Sequence, residues 1–406
     1  MNIVLFDDEW RVNLFPLSLT RPCGAFRLGI LTIAEKWEKH LNGKVSYKTK
    51  PYLGVKFPAV LAKENVFING RYLPDAALNE AIKNLKYGEL IADGDKVVAC
   101  VLNQSDASAF LLDNYSLADH AIIKLDFKLT HISKCPDIFT LNGHELEMDF
   151  DLLTKGRVSA AVSKSNTLIA PHKIFVEEGV KMECVVLNAS SGSIYISKDS
   201  ELMEGSVVRG PFYIGEHSQL KMGAKIYGPT SIGPHCKVGG EVNNSVIFGY
   251  SNKAHDGFIG NSVIGEWCNL GADTNTSNLK NNYAEVKLWN YPAEKYLKTG
   301  LQFCGTIMGD HSKCGINTMF NTGTIVGVSA NVFGSGFPRN FIPDFSWGGA
   351  QGFETFSVKK SFEVAKIVYE RRGLTFDENE QNILTYIFNE THKYRVWENI
   401  VKKAID

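Results

Sequence analysis

Residues 196–242 read ISKDSELMEGSVVRGPFYIGEHSQLKMGAKIYGPTSIGPHCKVGGEV. Ile196, Leu202, Val208, Ile214, Leu220, Ile226, Ile232 and Val238 are aliphatic at every sixth position without a miss. With roughly a quarter of positions aliphatic, eight in one fixed register arise by chance on the order of 10⁻⁵ of the time. A second register agrees: four residues after each aliphatic stand Ser200, Ser206, Phe212, Ser218, Ala224, Thr230, Cys236 and Val242, mostly small. The beat belongs to neither a helix nor a simple strand. A six-residue unit can put one large and one small residue inward and use the remainder to turn a corner. Three such units close a triangular coil, and coils stack at the parallel-strand spacing of about 4.8 Å, each burying the apolar face its neighbour cannot bury alone. The stretch predicts a parallel β-helix.

Outward from it, the repeat starts faintly near Ile174, slips phase after Val242 and resumes at Ile264 and Leu270. A polar segment from Asp273 to about Leu301 interrupts it. It returns at Met308, Cys314, Phe320, Val326 and Val332, with small Ser312, Thr318, Thr324 and Ala330 four residues further on. The β-helix is therefore expected over 166–345, with its chemistry beside the slips, because loops on a rigid scaffold are where binding groups concentrate. Residues 346–406 read as a helical segment, with apolar residues at helical spacing over Val358 to Arg372 and Glu378 to Lys403.

Before the β-helix the pattern changes. Asn2–Phe6 is a short apolar run ending in Asp7-Asp8, which suits a buried parallel strand with functional groups at its carboxyl end. A helix is expected from Gly29 to His40, a strand at Val66–Ile68, a helix at Ala76–Leu85 and a strand at Lys96–Leu102. This alternation predicts an open, Rossmann-like α/β sheet over residues 1–115, doubly wound, and 116–165 read as a connector with its own helical hairpin.

The 406 residues suffice for two or three cores, and 44% hydrophobic with 21% charged residues is the balance of an ordinary soluble protein. A net charge of −1 leaves no footprint for nucleic acid or an anionic membrane. The start, MNIVLFDDEW, has acids where a signal peptide needs a basic segment, and no run approaches the roughly 20 apolar residues of a membrane span. A cytoplasmic address is expected. The eight cysteines are scattered without a CxxC pair, the usage of free thiols.

An α/β domain followed by hexapeptide repeats resembles the bifunctional N-acetylglucosamine-1-phosphate uridylyltransferase/glucosamine-1-phosphate acetyltransferase family, in a divergent form. The resemblance implies a left-handed β-helix and a homotrimer. Its best local match in the repeats is Lys253-Ala-His255-Asp-Gly-Phe258, followed by Asn269-Leu-Gly271-Ala272 and Asn278. It implies His255 as the base that takes a proton from a sugar amine attacking acetyl-CoA, a task suited to an imidazole titrating near neutrality. Phe258 stands where the family has Tyr, and the family's paired lysines fall on Asn243 and Asn244. Lys253, Lys280 and Lys287 are the candidates to hold substrate phosphate instead.

In the first domain, Leu14-Phe-Pro16-Leu17-Ser-Leu-Thr20-Arg21-Pro22 resembles a sugar-phosphate nucleotidyltransferase signature, but Asp8-Glu-Trp-Arg11-Val-Asn13 stands in place of the glycine-rich phosphate loop. The family's Asn-Gly-Asp, whose Asp holds Mg²⁺, is matched by Asn69-Gly70-Arg71, leaving Asp7, Asp8 or Asp75 as metal ligand. Arg11, Arg21, Arg27 and Arg71 are the candidates to neutralise a nucleoside triphosphate. The implied reactions are nucleotidyl transfer to a sugar 1-phosphate with Mg²⁺, and acetyl transfer from acetyl-CoA, in UDP-N-acetylglucosamine synthesis. UTP is the expected nucleotide, and dTTP with glucose-1-phosphate is the nearest alternative. Two other classes stay open. One is a non-catalytic sugar-nucleotide binder. The other is a zinc-dependent hexapeptide-repeat carbonic anhydrase, since His217, His235 and His311 share one place in the hexad.

Overall fold

In a computed structural model, which describes residues 1–398, the six-residue beat is a parallel β-helix. The chain forms two compact units. The first comprises Met1–Leu14, Thr20–Phe26 and Leu31–Ser133; the second comprises Phe15–Leu19, Arg27–Ile30 and Lys134 onward.

The first unit carries a six-stranded sheet of β1 (Asn2–Phe6), β2 (Lys44–Lys48), β3 (Glu64–Asn69), β4 (Glu89–Asp93), β5 (Lys96–Asn103) and β6 (Ala121–Ile123), in the order β2-β1-β3-β5-β4-β6. The centre, β2-β1-β3, is parallel as expected, whereas β5 runs antiparallel to both β3 and β4. The sheet is thus mixed rather than uniformly doubly wound, because the short Gly94 turn between β4 and β5 allows no crossover. β6 pairs with β4 and Tyr72 bridges His131, so the unit runs on to Ser133, past the expected boundary at 115. The first helix starts at Ile33, not Gly29, where Thr32 and Glu35 form a capping box: Thr32 Oγ1 accepts from Glu35 N–H at 3.2 Å and Glu35 Oε2 accepts from Thr32 N–H at 2.6 Å.

The second unit is the β-helix. Its faces are sheets of six, nine and ten strands, and the inward column of one face runs Met182, Leu202, Leu220 and Val238 in direct register. The slip after Val242 is a shortening of the coil. Val238 pairs with Lys253, fifteen residues on instead of eighteen, and Val242 takes the inward place beside Ile226. The interruption begins after Thr276, since Asn275–Thr276 still pairs with Met319–Phe320, and the excursion contains the hairpin Lys287–Asn290/Lys295–Lys298. Corners are turned by residues of positive φ, among them Asp199, His217, His235, Tyr250, Trp267, His311 and Ser329.

The expected helical hairpin of the connector is a single helix, Asp137–Thr154. It covers the nine-stranded face and pins Arg27–Ile30 there: Asn142 Oδ1 accepts from Gly29 N–H and Asp149 Oδ2 from Ile30 N–H, both at 2.8 Å, and Ser231 Oγ donates to Gly29 C=O at 2.8 Å. After the last coil Ser346–Gly349 and Gly352–Thr355 form an antiparallel hairpin, so strand continues past 345. Helices Val358–Glu370 and Glu378–Glu390 follow; the expected continuation to Lys403 reaches outside the described residues. All eight cysteines are free, and all but Cys184 are buried. Among the described residues no helix is long and apolar enough to cross a membrane.

Candidate functional site

At the carboxyl end of β1 the side chains expected to face a nucleotide are bonded to one another. Asp8 Oδ1 accepts from Arg71 Nε at 2.9 Å and from Trp10 N–H at 3.1 Å. Its Oδ2 accepts from Asn69 Nδ2 at 2.8 Å and from the Arg71 guanidinium. Arg71 is buried and also donates to Ile132 C=O at 3.0 Å. Asp7 Oδ1 accepts from Cys23 N–H at 2.9 Å, its Oδ2 accepts from Thr49 Oγ1 at 2.5 Å, and it pairs with buried Arg11 at 3.3 Å. Gly70 donates its N–H to Phe6 C=O and lies against the Gly24 backbone.

Asp75 is a helix cap, accepting from Leu78 N–H at 2.7 Å, which corrects its reading as a metal ligand. A Mg²⁺ ion needs open, mostly anionic oxygens. Asp7 and Asp8 are instead committed to arginines and N–H donors, and no three metal-ligating side chains group together among the described residues. The residues present do not fit Mg²⁺. The four arginines are divided between the two units. Arg21 is buried in the first unit, but Arg27 belongs to the second, donating to Ile30 C=O and lying over the Tyr213 ring at 5.6 Å. The signature-like segment is split likewise: Phe15–Leu19 packs in the second unit, where the Phe15 ring meets Tyr291 edge-on at 5.6 Å.

In the β-helix, the residues around the slip do not converge on one site. His255 is exposed at the corner between strands Asn252–Lys253 and Phe258–Gly260. Lys253, expected to be an exposed phosphate ligand, points into the core at the place of Val238, and its Nζ donates to the carbonyls of His255 and Asp256, the latter at 2.6 Å. Alternation decides this: in the shortened coil Asn252 takes the outward place and Lys253 the inward one. Burial pulls the ammonium pKa from 10.5 to about 8.

Phe258 and Asn278 lie together against Gly260, and Asn278 Nδ2 donates to Asn261 Oδ1 at 2.8 Å. Lys280 folds back within the excursion, donating to Glu285 C=O at 3.1 Å. Gly271 and Ala272 serve the coil-to-coil ladder, Gly271 N–H donating to Cys314 C=O and Ala272 C=O accepting from Asn317 N–H.

Asn269 lies on a different face, in a cleft of about 410 Å³ between the ten-stranded sheet and the helix Val358–Glu370, with Lys237, Lys313, Arg371 and Arg372. Sequence reasoning missed this cleft, because its cations are scattered over 135 positions; the signal was the outward column of polar residues one place before each inward aliphatic. The three histidines are not a zinc set. His217, His235, Tyr250 and Trp267 stack as parallel rings with centroids 5.0, 4.8 and 4.3 Å apart, and Trp267 and Tyr369 also stack, at 4.0 Å.

Residues 3–158 match the family described as sugar nucleotidyl transferase. A bifunctional sugar-1-phosphate nucleotidylyltransferase/acetyltransferase of Sulfurisphaera tokodaii is 32% identical over 160 residues, 39% of this chain and 37% of that one. A bifunctional protein GlmU of Methanocaldococcus jannaschii is 37% identical over 87 residues, 21% of each chain. The chain thus spans between about a fifth and two fifths of these relatives' length. Among solved structures, an Arabidopsis UDP-N-acetylglucosamine acyltransferase aligns over 53% of this chain and 78% of its own at 16% identity and a TM-score of 0.22, so the architecture rests on the strand pairing described above. With a sugar nucleotidyl transferase match at its start and hexapeptide coils behind it, the chain resembles a divergent member of the bifunctional GlmU-like family.

Proposed function

We propose that the chain transfers an acyl group, acetyl from acetyl-CoA, to the amine of a sugar 1-phosphate such as glucosamine-1-phosphate, on the way to UDP-N-acetylglucosamine. In this reading His255 is the base, the β-helix assembles as a homotrimer, and the first unit holds a nucleotide or sugar phosphate without metal-dependent turnover. The observation that carries the reading is the His255 corner. An imidazole open to solvent stands on a backbone whose carbonyl is held from inside the core by Lys253. As the amine nitrogen attacks the thioester, the N–C bond forms, the C–S bond breaks with its electron pair leaving on sulfur, and the nitrogen's proton passes to His255. In the same reading Phe258 and Asn278, which lie together against Gly260 on the adjoining face, contact the sugar.

The binder reading of the first unit is favoured by the Asp8–Arg71 pair, which fills with a cation the place where a metal carboxylate is required. Thiol release from acetyl-CoA in the presence of glucosamine-1-phosphate tests the β-helix half. It is expected to fall about 10²–10⁴-fold in His255→Ala; a rate untouched by that substitution removes His255 from the chemistry.

A further inference from the structure

Corners that leave the ten-stranded face through four residues share one build. In 203–206, 221–224 and 271–274 the third residue has positive φ (Gly205, Gly223 and Asp273), and the fourth returns its N–H to the first carbonyl at 3.3, 3.1 and 3.3 Å. Thr274 adds its hydroxyl to the same Gly271 carbonyl at 2.7 Å. The His255 corner, 254–257, departs from this build. Positive φ passes to the fourth residue, Gly257 at +114°, which carries no hydroxyl, and among the described residues its N–H makes no return bond. Beneath it the corner between Val238 and Glu241 has only Gly239 and Gly240. A Cβ on Gly240 would lie 2.6 Å from the Gly257 carbonyl oxygen and 3.0 Å from that of His255, so the loop settles against a bare backbone.

What closes this corner is Lys253. Its Nζ, inside the coil, donates to the His255 carbonyl and, at 2.6 Å, to that of Asp256. Asp256 C=O also accepts from Asp273 N–H at 2.9 Å, whereas the donor to His255 C=O among the described residues is Lys253. Packing does not call for an ammonium at a place that Leu220 and Val238 fill with aliphatic groups, and a buried charge costs stability that its gain elsewhere must offset. Without the lysine the two carbonyls would turn outward to water, and the imidazole borne on the same residue would turn with them. A displacement of about 1 Å at a reacting group can cost on the order of 10²-fold in rate.

We propose that Lys253 is the positioning residue of the His255 corner: holding the two carbonyls from inside the coil, it fixes the direction from which the imidazole meets the attacking amine. The role rests on the acyl-transfer reading of His255. Labelling histidine carbonyls with ¹³C and aspartate amides with ¹⁵N gives one correlation for His255-Asp256, the one His-Asp pair in the sequence. In the parent chain its carbonyl shift is expected to follow pH with a midpoint near 8, as Lys253 loses its proton. Asp256, Asp273 of the next coil and the Cys314 thiol face the ammonium; they and His255 are common to Lys253→Met, so the difference between the two chains isolates the lysine. That step is expected to vanish in the variant. In steady state Lys253→Met is expected to lower kcat about 10–100-fold, with KM for acetyl-CoA and glucosamine-1-phosphate within about twofold and no loss of melting temperature. A merely structural lysine would lower melting temperature and rate together. A carbonyl titration that persists in Lys253→Met, or a kcat equal to the parent's, overturns the positioning role and leaves His255 its own. A parent chain that releases no thiol overturns the acyl-transfer reading and the role with it, whatever the carbonyl shift shows.

Discussion

Lys253 occupies a column whose preceding members, Leu220 and Val238, are aliphatic. Its ammonium titrates at about 8 in the folded chain against an ordinary 10.5, because burial disfavours the charge. Between those values the unfolded chain binds more protons, so this residue's destabilising effect is full below pH 8 and fades as pH rises towards 10.5. Lys253→Met is therefore expected to raise the melting temperature at pH 7, with an advantage that shrinks across pH 8 to 10.5; an unvarying or negative difference contradicts the account. Gly29 is a second residue of this kind. Its φ is +83°, and a Cβ there would lie 2.5 Å from Asp149 Oδ2 and 2.8 Å from the Glu145 carbonyl. Gly29→Ala should destabilise the second unit by about 1–3 kcal/mol, measurable by denaturant unfolding. Neither role was legible in the sequence. Lys253 reads as a surface base until the coil is seen to lose three residues, and Gly29 reads as a helix start until Thr32 is seen to cap.

At the scale of elements, the helix Val358–Glu370 is held to the β-helix by Tyr369, whose ring lies 4.0 Å from Trp267 and meets Phe376 edge-on. Tyr369→Ala is expected to cost about 3 kcal/mol and to loosen the cleft wall, seen as earlier proteolysis after residue 355; protection equal to the parent chain would show that the stack is incidental. Elements with strong periodicity were readable. The hexads from Ile196 to Val238 gave the coils, and helical spacing gave the C-terminal helices. What the string concealed was two-sided geometry. β5 looks like any apolar strand and only its pairing makes the sheet mixed, and the cleft cations meet only after three coils have stacked and the helix Val358–Glu370 has folded back over them. The histidines at hexad corners are stacked because the corner repeats, and their parallel rings give no convergence on a metal.

For the whole chain, the likeness to two-activity transferases was legible in residues 7–22, 69–71 and 253–278, yet the two sets of residues carry different amounts of the chemistry. In the first unit Asp8 is the counter-ion of Arg71 and Asp7 that of Arg11, so neither carboxylate stands open to a metal. In the second, His255 keeps an open corner. Arg71→Asp alone should not restore transfer, because Asp7 stays tied to Arg11 and residues 8–13 still lack a glycine-rich phosphate loop; nucleotide exchange into sugar phosphate, followed with labelled pyrophosphate, checks this. The most direct test of the central claim is one incubation of the purified chain with glucosamine-1-phosphate, acetyl-CoA, UTP and Mg²⁺, in which free thiol and pyrophosphate are measured separately. The account predicts thiol release that His255→Ala abolishes, with no pyrophosphate above background. Pyrophosphate formed at a rate matching thiol release, or thiol release that survives His255→Ala, would contradict it.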